Sequence, residues 1–207
     1  EPGVFDWNAY ATVGVPGVGV PEGVSLSINV LGEITARVGF NLQGQGQYTV
    51  ATQLLADYFG VEMEAVRVVY ADTDHAPPHF GPGGSRLGVA ITGAILGACQ
   101  IISTNLCRAA SVLLQVPAEQ VELMDGQLRV KGAPAVAMPL AQVVGAMLSR
   151  SDLMPEGMQA GASAVSVWTA PGRTAPDADG RCKSYLTAAN ACHVVVVELD
   201  PDTGKTD

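Results

Sequence analysis

The chain has 207 residues, 48% of them apolar and 15% charged, with 24 glycines and 13 prolines. That composition supports a buried core in one large domain or two small ones, threaded by many turns. A formal net charge of −9 with no Lys/Arg cluster excludes a general nucleic-acid surface and an anionic membrane partner.

Residues 1–23 form a turn-rich, extended lead-in, in which Val15-Pro16-Gly17-Val18-Gly19 reads as a Pro-Gly turn because the pentapeptide does not recur. Residues 24–30 alternate apolar and polar, with Val24, Leu26, Ile28 and Val30 on one face, so they predict a half-buried strand. A turn at 31–33 leads to a second strand at 34–38. The loop Gln43-Gly44-Gln45-Gly46-Gln47 follows, then a helix from about 49 to 59 with Val50, Leu54 and Tyr58 on one face and Gly60 as its stop. A β-branched strand is expected over 66–70 and a proline-rich loop over 72–84. Ser85 is placed to cap a long helix over 86–114.

That helix holds the longest apolar run, 87–102, which is too short to span a bilayer and reads as buried; Gly93 and Gly97 within it signal close packing. Residues 121–130 predict a hairpin around Asp125-Gly126, with a type I′ turn. An amphipathic helix over 140–148, a strand over 165–170 and a polar linker over 171–183 come next. The final strand, 191–199, is apolar on both faces at 194–197 and is expected centrally in a sheet. The sum is an α+β fold: a two-layer mixed β-sheet with packed helices. The domain boundaries read as lead-in 1–23, main domain 24–170, linker 171–187, and a strand and turn at 188–207.

Of four cysteines, Cys99 and Cys107 read as small buried hydrophobes on the long helix, while Cys182 and Cys192 could pair only if their strand doubled back. With no CxxC pairing and no signal peptide, a reduced cytoplasmic compartment is expected, the periplasm remaining the alternative. The chain opens at Glu1 and closes after a strand-like run with no partner, so a piece of a longer polypeptide is expected.

Two loops carry the chemistry. In the second, Gly83 and Gly84 let a ligand reach the backbone, Ser85 offers a hydroxyl, and Arg86 offers a fixed charge; together they suit a phosphate at a helix start. A glycine-rich turn with a structural arginine is the competing reading. In the first, the amides of Gln43, Gln45 and Gln47, spaced by Gly44 and Gly46, suit a heterocycle with carbonyls and ring nitrogens. A polar loop capping its own helix competes there. Neither is a P-loop or a dinucleotide fingerprint, and Gly204-Lys205-Thr206 has Leu199 where a P-loop needs glycine. Asp72, Asp74, His75 and His79 have metal-ligand chemistry, but Pro77 and Pro78 interrupt any tight spacing, so the segment reads as structural or cofactor-flanking. His193 reads as packed inside its strand, and no Ser-His-Asp arrangement stands out.

The order of these motifs resembles a known family. Gly44-Gln45-Gly46-Gln47-x-Thr49 is followed by Ala56-Asp57-Tyr58-Phe59-Gly60-Val61. The strand Val66-Arg67-Val68-Val69-Tyr70-Ala71-Asp72-Thr73-Asp74 leads to Pro78-x-x-Gly81-Pro82-Gly83-Gly84-Ser85-Arg86 and an Ala/Gly-rich helix. This resembles the molybdenum-binding large subunit of the xanthine dehydrogenase/aldehyde oxidase family, with the aldehyde oxidoreductase and carbon monoxide dehydrogenase branches nearest. Val194 through Lys205 resembles a later strand and turn of the same family.

The resemblance implies a molybdopterin cofactor with molybdenum, in its cytosine dinucleotide form. Gln43, Gly44, Gln45, Gly46 and Gln47 would lie at its pterin end, and Gly83, Gly84, Ser85 and Arg86 toward its phosphates. It further implies hydroxylation of an aldehyde or N-heterocycle carbon with water-derived oxygen. The implied partners are the remaining segments of the large subunit, iron–sulfur and flavin subunits or domains, and a small-molecule substrate. The family's catalytic glutamate stands in a Gly-x-Gly-Glu motif. None of Glu62, Glu64, Glu119, Glu122, Glu156 or Glu198 does, so no catalytic residue is assigned and the isolated chain is expected to be silent. Two other readings remain: a non-catalytic scaffold of the same fold, and a simple nucleotide- or phosphate-binding domain.

Overall fold

The structure is a computed structural model that describes residues 21–70, 72–171, 177–181 and 192–206. The turn at 15–19, Cys182 and most of the 171–183 linker lie outside the described residues.

Strand β1 (Glu22–Ile28) pairs antiparallel with β2 (Ile34–Arg37) through a turn in which Asn29 Oδ1 accepts the N–H groups of Leu31 and Glu33. Helix α1 (Gln47–Phe59) then crosses over to β3 (Val66–Val69), which lies parallel to β2. The Gln/Gly loop therefore opens a βαβ crossover, although its letters are not the dinucleotide fingerprint. Helix α2 (Leu87–Leu114) is followed by a three-stranded antiparallel sheet of β4 (Val121–Met124), β5 (Gln127–Val130) and β6 (Ala133–Pro139). Helix α3 (Leu140–Ser149) leads to β7 (Ala162–Trp168), which completes a mixed sheet of order β3-β2-β1-β7 by pairing antiparallel with β1.

The α+β expectation holds, and its core is continuous. Val24, Leu26 and Ile28 of β1 and Ile34 and Ala36 of β2 face Leu55 and Phe59 of α1 and Ile91, Ile95 and Ile102 of α2. On α1 the buried face is Ala51, Leu55, Ala56 and Phe59, one residue round from the expected one, and Val50 is exposed. Helix α1 is apolar over an arc wide enough for either neighbouring stripe to be chosen by tertiary packing. The Asp125-Gly126 turn has φ of 52° and 70° at its two central residues, as the type I′ reading requires. It docks on α1, where Gly126 N–H donates to Phe59 O at 3.0 Å.

Helix α2 is the spine, packing on β1, β7, α1 and α3. By length and hydropathy it is the one helix among the described residues that could cross a membrane, and here it lies within the core. Gly93 and Gly97 sit where α2 crosses β7: a Cβ on Gly93 would enter the Trp168 indole, and one on Gly97 would meet Ser166 Oγ. Cys99 is fully buried on this helix, and burial pushes its thiol up to about 12. Cys192 is free and exposed.

Three expectations are corrected. Residues 133–139 form a strand that the sequence hid, because Pro134, Pro139 and three alanines carry little strand propensity; β6 tolerates them as an edge strand. Strand β7 starts three residues early, at Ala162, because its inward residues are small where α2 presses close. Residues 194–197 are not central in a sheet: they form no strand among the described residues, and Val196 is 88% exposed. His193 is exposed with them. A β-branched run encodes readiness to pair, and no described edge pairs with this one.

Gly93→Ala is expected to destabilise the chain by about 1–3 kcal/mol through overpacking against Trp168, despite its better helix propensity. Gly145→Ala on α3, where a Cβ meets nothing within 4 Å, should stabilise it by about 0.5–1 kcal/mol; urea unfolding of both variants checks the pair. Iodoacetamide mapping at neutral pH should label Cys192 and leave Cys99 unlabelled until the chain unfolds. Because the folded-state value of Cys99 lies above that of an unfolded thiol, its contribution to stability is complete below the unfolded value. That contribution is lost as pH rises toward about 12.

Candidate functional site

The first loop leaves β2 through Val38 and Phe40, both buried. Tyr48, in the first turn of α1, fastens its far end: the phenol donates to Phe40 O at 2.8 Å, and the ring stacks on Phe40 and Tyr70 at 5.8 and 4.3 Å. Burial raises the Tyr48 phenol above its ordinary value, so it stays a donor. Between these anchors Gln45 Oε1 accepts the Gln43 N–H at 2.6 Å, turning that side chain onto its own loop.

Gly46 is the N-cap of α1 at φ 79°, a left-handed conformation that suits glycine, and no side chain caps the helix. The helix starts two residues earlier than expected, which puts Gln47 on its first turn. No acidic residue occupies that turn, so its N–H groups and the positive end of the helix dipole face the loop.

The second loop is held from an unexpected direction. Glu22, the first residue of β1, is fully buried, and its Oε1 accepts from Phe80 N–H at 3.0 Å, Gly81 N–H at 2.6 Å and Arg86 Nη1 at 2.5 Å. Arg86 Nη1 also donates to Gly81 O at 2.9 Å, and the guanidinium lies over the Phe80 ring. A Cβ at Gly23 would stand 2.7 Å from Pro78 O, so the 72–84 segment rests directly on the end of β1. Sequence reasoning missed Glu22, since one acid before an alternating strand looks like any surface carboxylate.

Two expectations about this loop change. Ser85 has φ 55° and is not the cap of α2; Arg86 occupies that position, with no side-chain cap bond. Arg86 carries a carboxylate partner inside the protein, so most of its charge is offset there. An anion at this loop would draw instead on the backbone N–H groups at the start of α2.

The fold brings the two loops together. Gln43, Gln45 and Gln47 of the first and Gly83, Gly84, Ser85 and Arg86 of the second line one cleft of about 410 Å³, together with Pro82, Leu87 and Gly88. Gly44 and Gly46 belong to the same turn, and a Cβ on either would meet nothing within 4 Å. Among the described residues no carboxylate lines the cleft, and the N-termini of α1 and α2 both open onto it. Gln47 Oε1 is buried with no hydrogen-bond partner among the described residues, an acceptor open to a donor from outside them.

Asp72 and His75 join at 2.9 Å, and this bond with the Asp74 N–H holds the Asp72 carboxyl below the usual carboxylate range. His79 Nδ1 lies 3.1 Å from Pro77 O. Among the described residues no three or more His, Cys, Asp or Glu side chains are grouped to hold a metal ion.

A family model for the molybdopterin cofactor-binding domain matches residues 7–207. The chain is 28% identical to the nicotine 6-hydroxylase large subunit of Paenarthrobacter nicotinovorans, over 87% of this chain and 20% of that protein. It is 27% identical to the carbon monoxide dehydrogenase large chain of Hydrogenophaga pseudoflava, over 92% of this chain and 22% of that one. The crystal structure of quinoline 2-oxidoreductase from Pseudomonas putida 86 superposes with a TM-score of 0.69 at 28% identity, over 78% of this chain and 20% of that one. The chain thus spans about a fifth of the length of these relatives.

Arg86→Ala strands a buried carboxylate and is expected to cost about 3–5 kcal/mol. The double variant Glu22→Gln/Arg86→Met should recover a substantial part of that loss. Chemical denaturation of the single and double variants measures both.

Proposed function

The chain belongs to the molybdopterin cofactor-binding domain family, and from that premise we propose that its two-loop cleft holds the pterin and phosphate portion of a molybdopterin, in its cytosine dinucleotide form. The observation that carries the reading is the convergence of two uncapped helix N-termini on a carboxylate-free cleft with one orphaned buried acceptor, Gln47 Oε1. A pterin offers N–H donors for such an acceptor, and a phosphate suits the first-turn N–H groups of α2. When bound, the molybdenum group supplies the oxidation–reduction chemistry.

What this chain does is bind and orient. The 43–47 loop positions one end of the group through side-chain amides and the α1 amides, and the 83–88 segment receives the anionic part. The Glu22–Arg86 pair holds that segment in shape, and the Tyr48 stack holds the other. Gln43, Gly44, Gln45, Gly46, Gln47, Gly83, Gly84 and Ser85 are the proposed contact residues, with Arg86 acting mainly by fixing the loop.

The parent protein, on this reading, is a molybdenum hydroxylase that oxidises an aldehyde or N-heterocycle carbon with oxygen from water. It would work with the other segments of a large subunit and with iron–sulfur and flavin partners. The nicotine and quinoline enzymes among the similar proteins favour the N-heterocycle side. The isolated chain is proposed to be inactive, and the main domain, expected over 24–170, is proposed to take in Glu22 and Gly23 as well, because β1 begins at Glu22. The free thiols of Cys99, Cys107 and Cys192 favour a cytoplasmic compartment.

Gln47→Leu in the parent protein tests the cleft. Removing an unsatisfied buried oxygen should leave the chain as stable or raise its stability by up to about 1 kcal/mol. Molybdenum content by elemental mass spectrometry, and cytidine monophosphate released by acid, should both fall severalfold. Unchanged molybdenum and nucleotide content would remove the cleft from cofactor binding.

A further inference from the structure

The mixed sheet has a second face, turned away from both helices. Ala36 and Val38 of the β2 segment point into the core, so Arg37 points the other way. The parallel register sets Arg67 of β3 beside Thr35 and Val69 beside Arg37. The two guanidiniums therefore leave the same face from adjacent strands. They line a cleft of about 360 Å³ that runs along this face from Thr35 and Arg67 to Tyr70 and His75 beyond the strand ends. No residue is shared with the lining of the two-loop cleft.

Three other arginines have a carboxylate: Arg86 pairs with Glu22, Arg129 with Glu122, and Arg150 with Asp152. Arg37 and Arg67 make no ion pair or side-chain hydrogen bond among the described residues. Asp72 borders the cleft, but its carboxylate is engaged by His75 and the Asp74 N–H. In a chain with 20 acidic residues, two unpartnered guanidiniums in one concave site call for an oxyanion, which their planar forks match. Tyr70 is half exposed and its ring is fixed by stacking on Tyr48 at 4.3 Å, so it offers a rigid aromatic wall beside the charges.

We propose that this cleft is a second binding site, for a small organic oxyanion clamped by Arg37 and Arg67 with its body against Tyr70. The recognised group is a carboxylate or a phosphate ester. The proposal does not depend on the molybdopterin reading.

Calorimetric titration of the full chain with inorganic phosphate and with phthalate tests it. Saturable one-to-one binding is expected, weakened about tenfold or more in Arg37→Gln or Arg67→Gln and lost in the double variant. Arg108→Gln, on α2, should bind as the unmutated chain does. Preference for phthalate, with a loss in Tyr70→Leu, assigns an aromatic or organic acid; preference for phosphate assigns a phosphate ester. Arginine Nε–H NMR on the unmutated chain repeats the test without substitution, with shifts expected at Arg37 and Arg67. Absence of saturable binding of both anions at millimolar concentration overturns the proposal. So does binding that survives the double variant, or that is lost in Gly84→Val and so belongs to the glycine loops.

Discussion

The site depends on one buried ion pair. Glu22 is the first residue of β1, and its Oε1 receives three donors from the 80–86 segment: two backbone amides and Arg86. A fully buried carboxylate with that many donors acts as a nail driven from the sheet into the loop. It sets where α2 begins, because Arg86 is also the N-cap position of that helix. A buried pair of this kind contributes little net stability relative to an apolar replacement, but removing one partner is expensive. Its consequence here is geometric: the loop keeps one conformation, and the first-turn amides of α2 keep one direction.

From that point α2 carries the geometry into the core. Its small residues let β7 approach until Trp168 and Ser166 touch the backbone at Gly93 and Gly97, while Ile91, Ile95 and Ile102 fill the space above β1 and β2. Strand β1 is thus gripped by the helix along its length and by the loop at its first residue. The α1 side is fixed independently, by Phe59 at one end and by the Phe40–Tyr48–Tyr70 stack at the other. Two helix N-termini are consequently aimed at one cleft from two rigid supports, an arrangement that attracts anions without a surplus of positive charge. This reconciles a chain of net charge −9 with an anionic ligand.

The sequence made the alternating strands, both long helices and the Asp125-Gly126 turn legible, because each has a local cause: period-two or helical spacing, or a turn chemistry that only certain residues allow. It also singled out residues 43–47 and 83–86, and their side chains and backbone border one cleft; that they meet one cofactor is what the resemblance implies. What it hid was non-local. Strand β6 exists because β5 offers an edge, not because Pro134 or Ala135 prefers extension. Glu22 matters only because residues more than fifty positions later fold back on it. Arg86 looks the same in sequence whether it faces a phosphate or a buried carboxylate, and the fold supplies the carboxylate. The run at 194–197 has the letters of a central strand but no described partner, so propensity alone misplaced it.

A crystal structure of the purified parent protein, with anomalous data at the molybdenum edge, tests most directly whether the two loops form one cradle for a molybdopterin. Pterin density is expected against the 43–47 loop within reach of Gln47 Oε1, and phosphate density at the 83–88 segment where α2 begins. Cofactor density that contacts neither loop, with Gln47 and Gly84 packed against protein, would contradict that cradle.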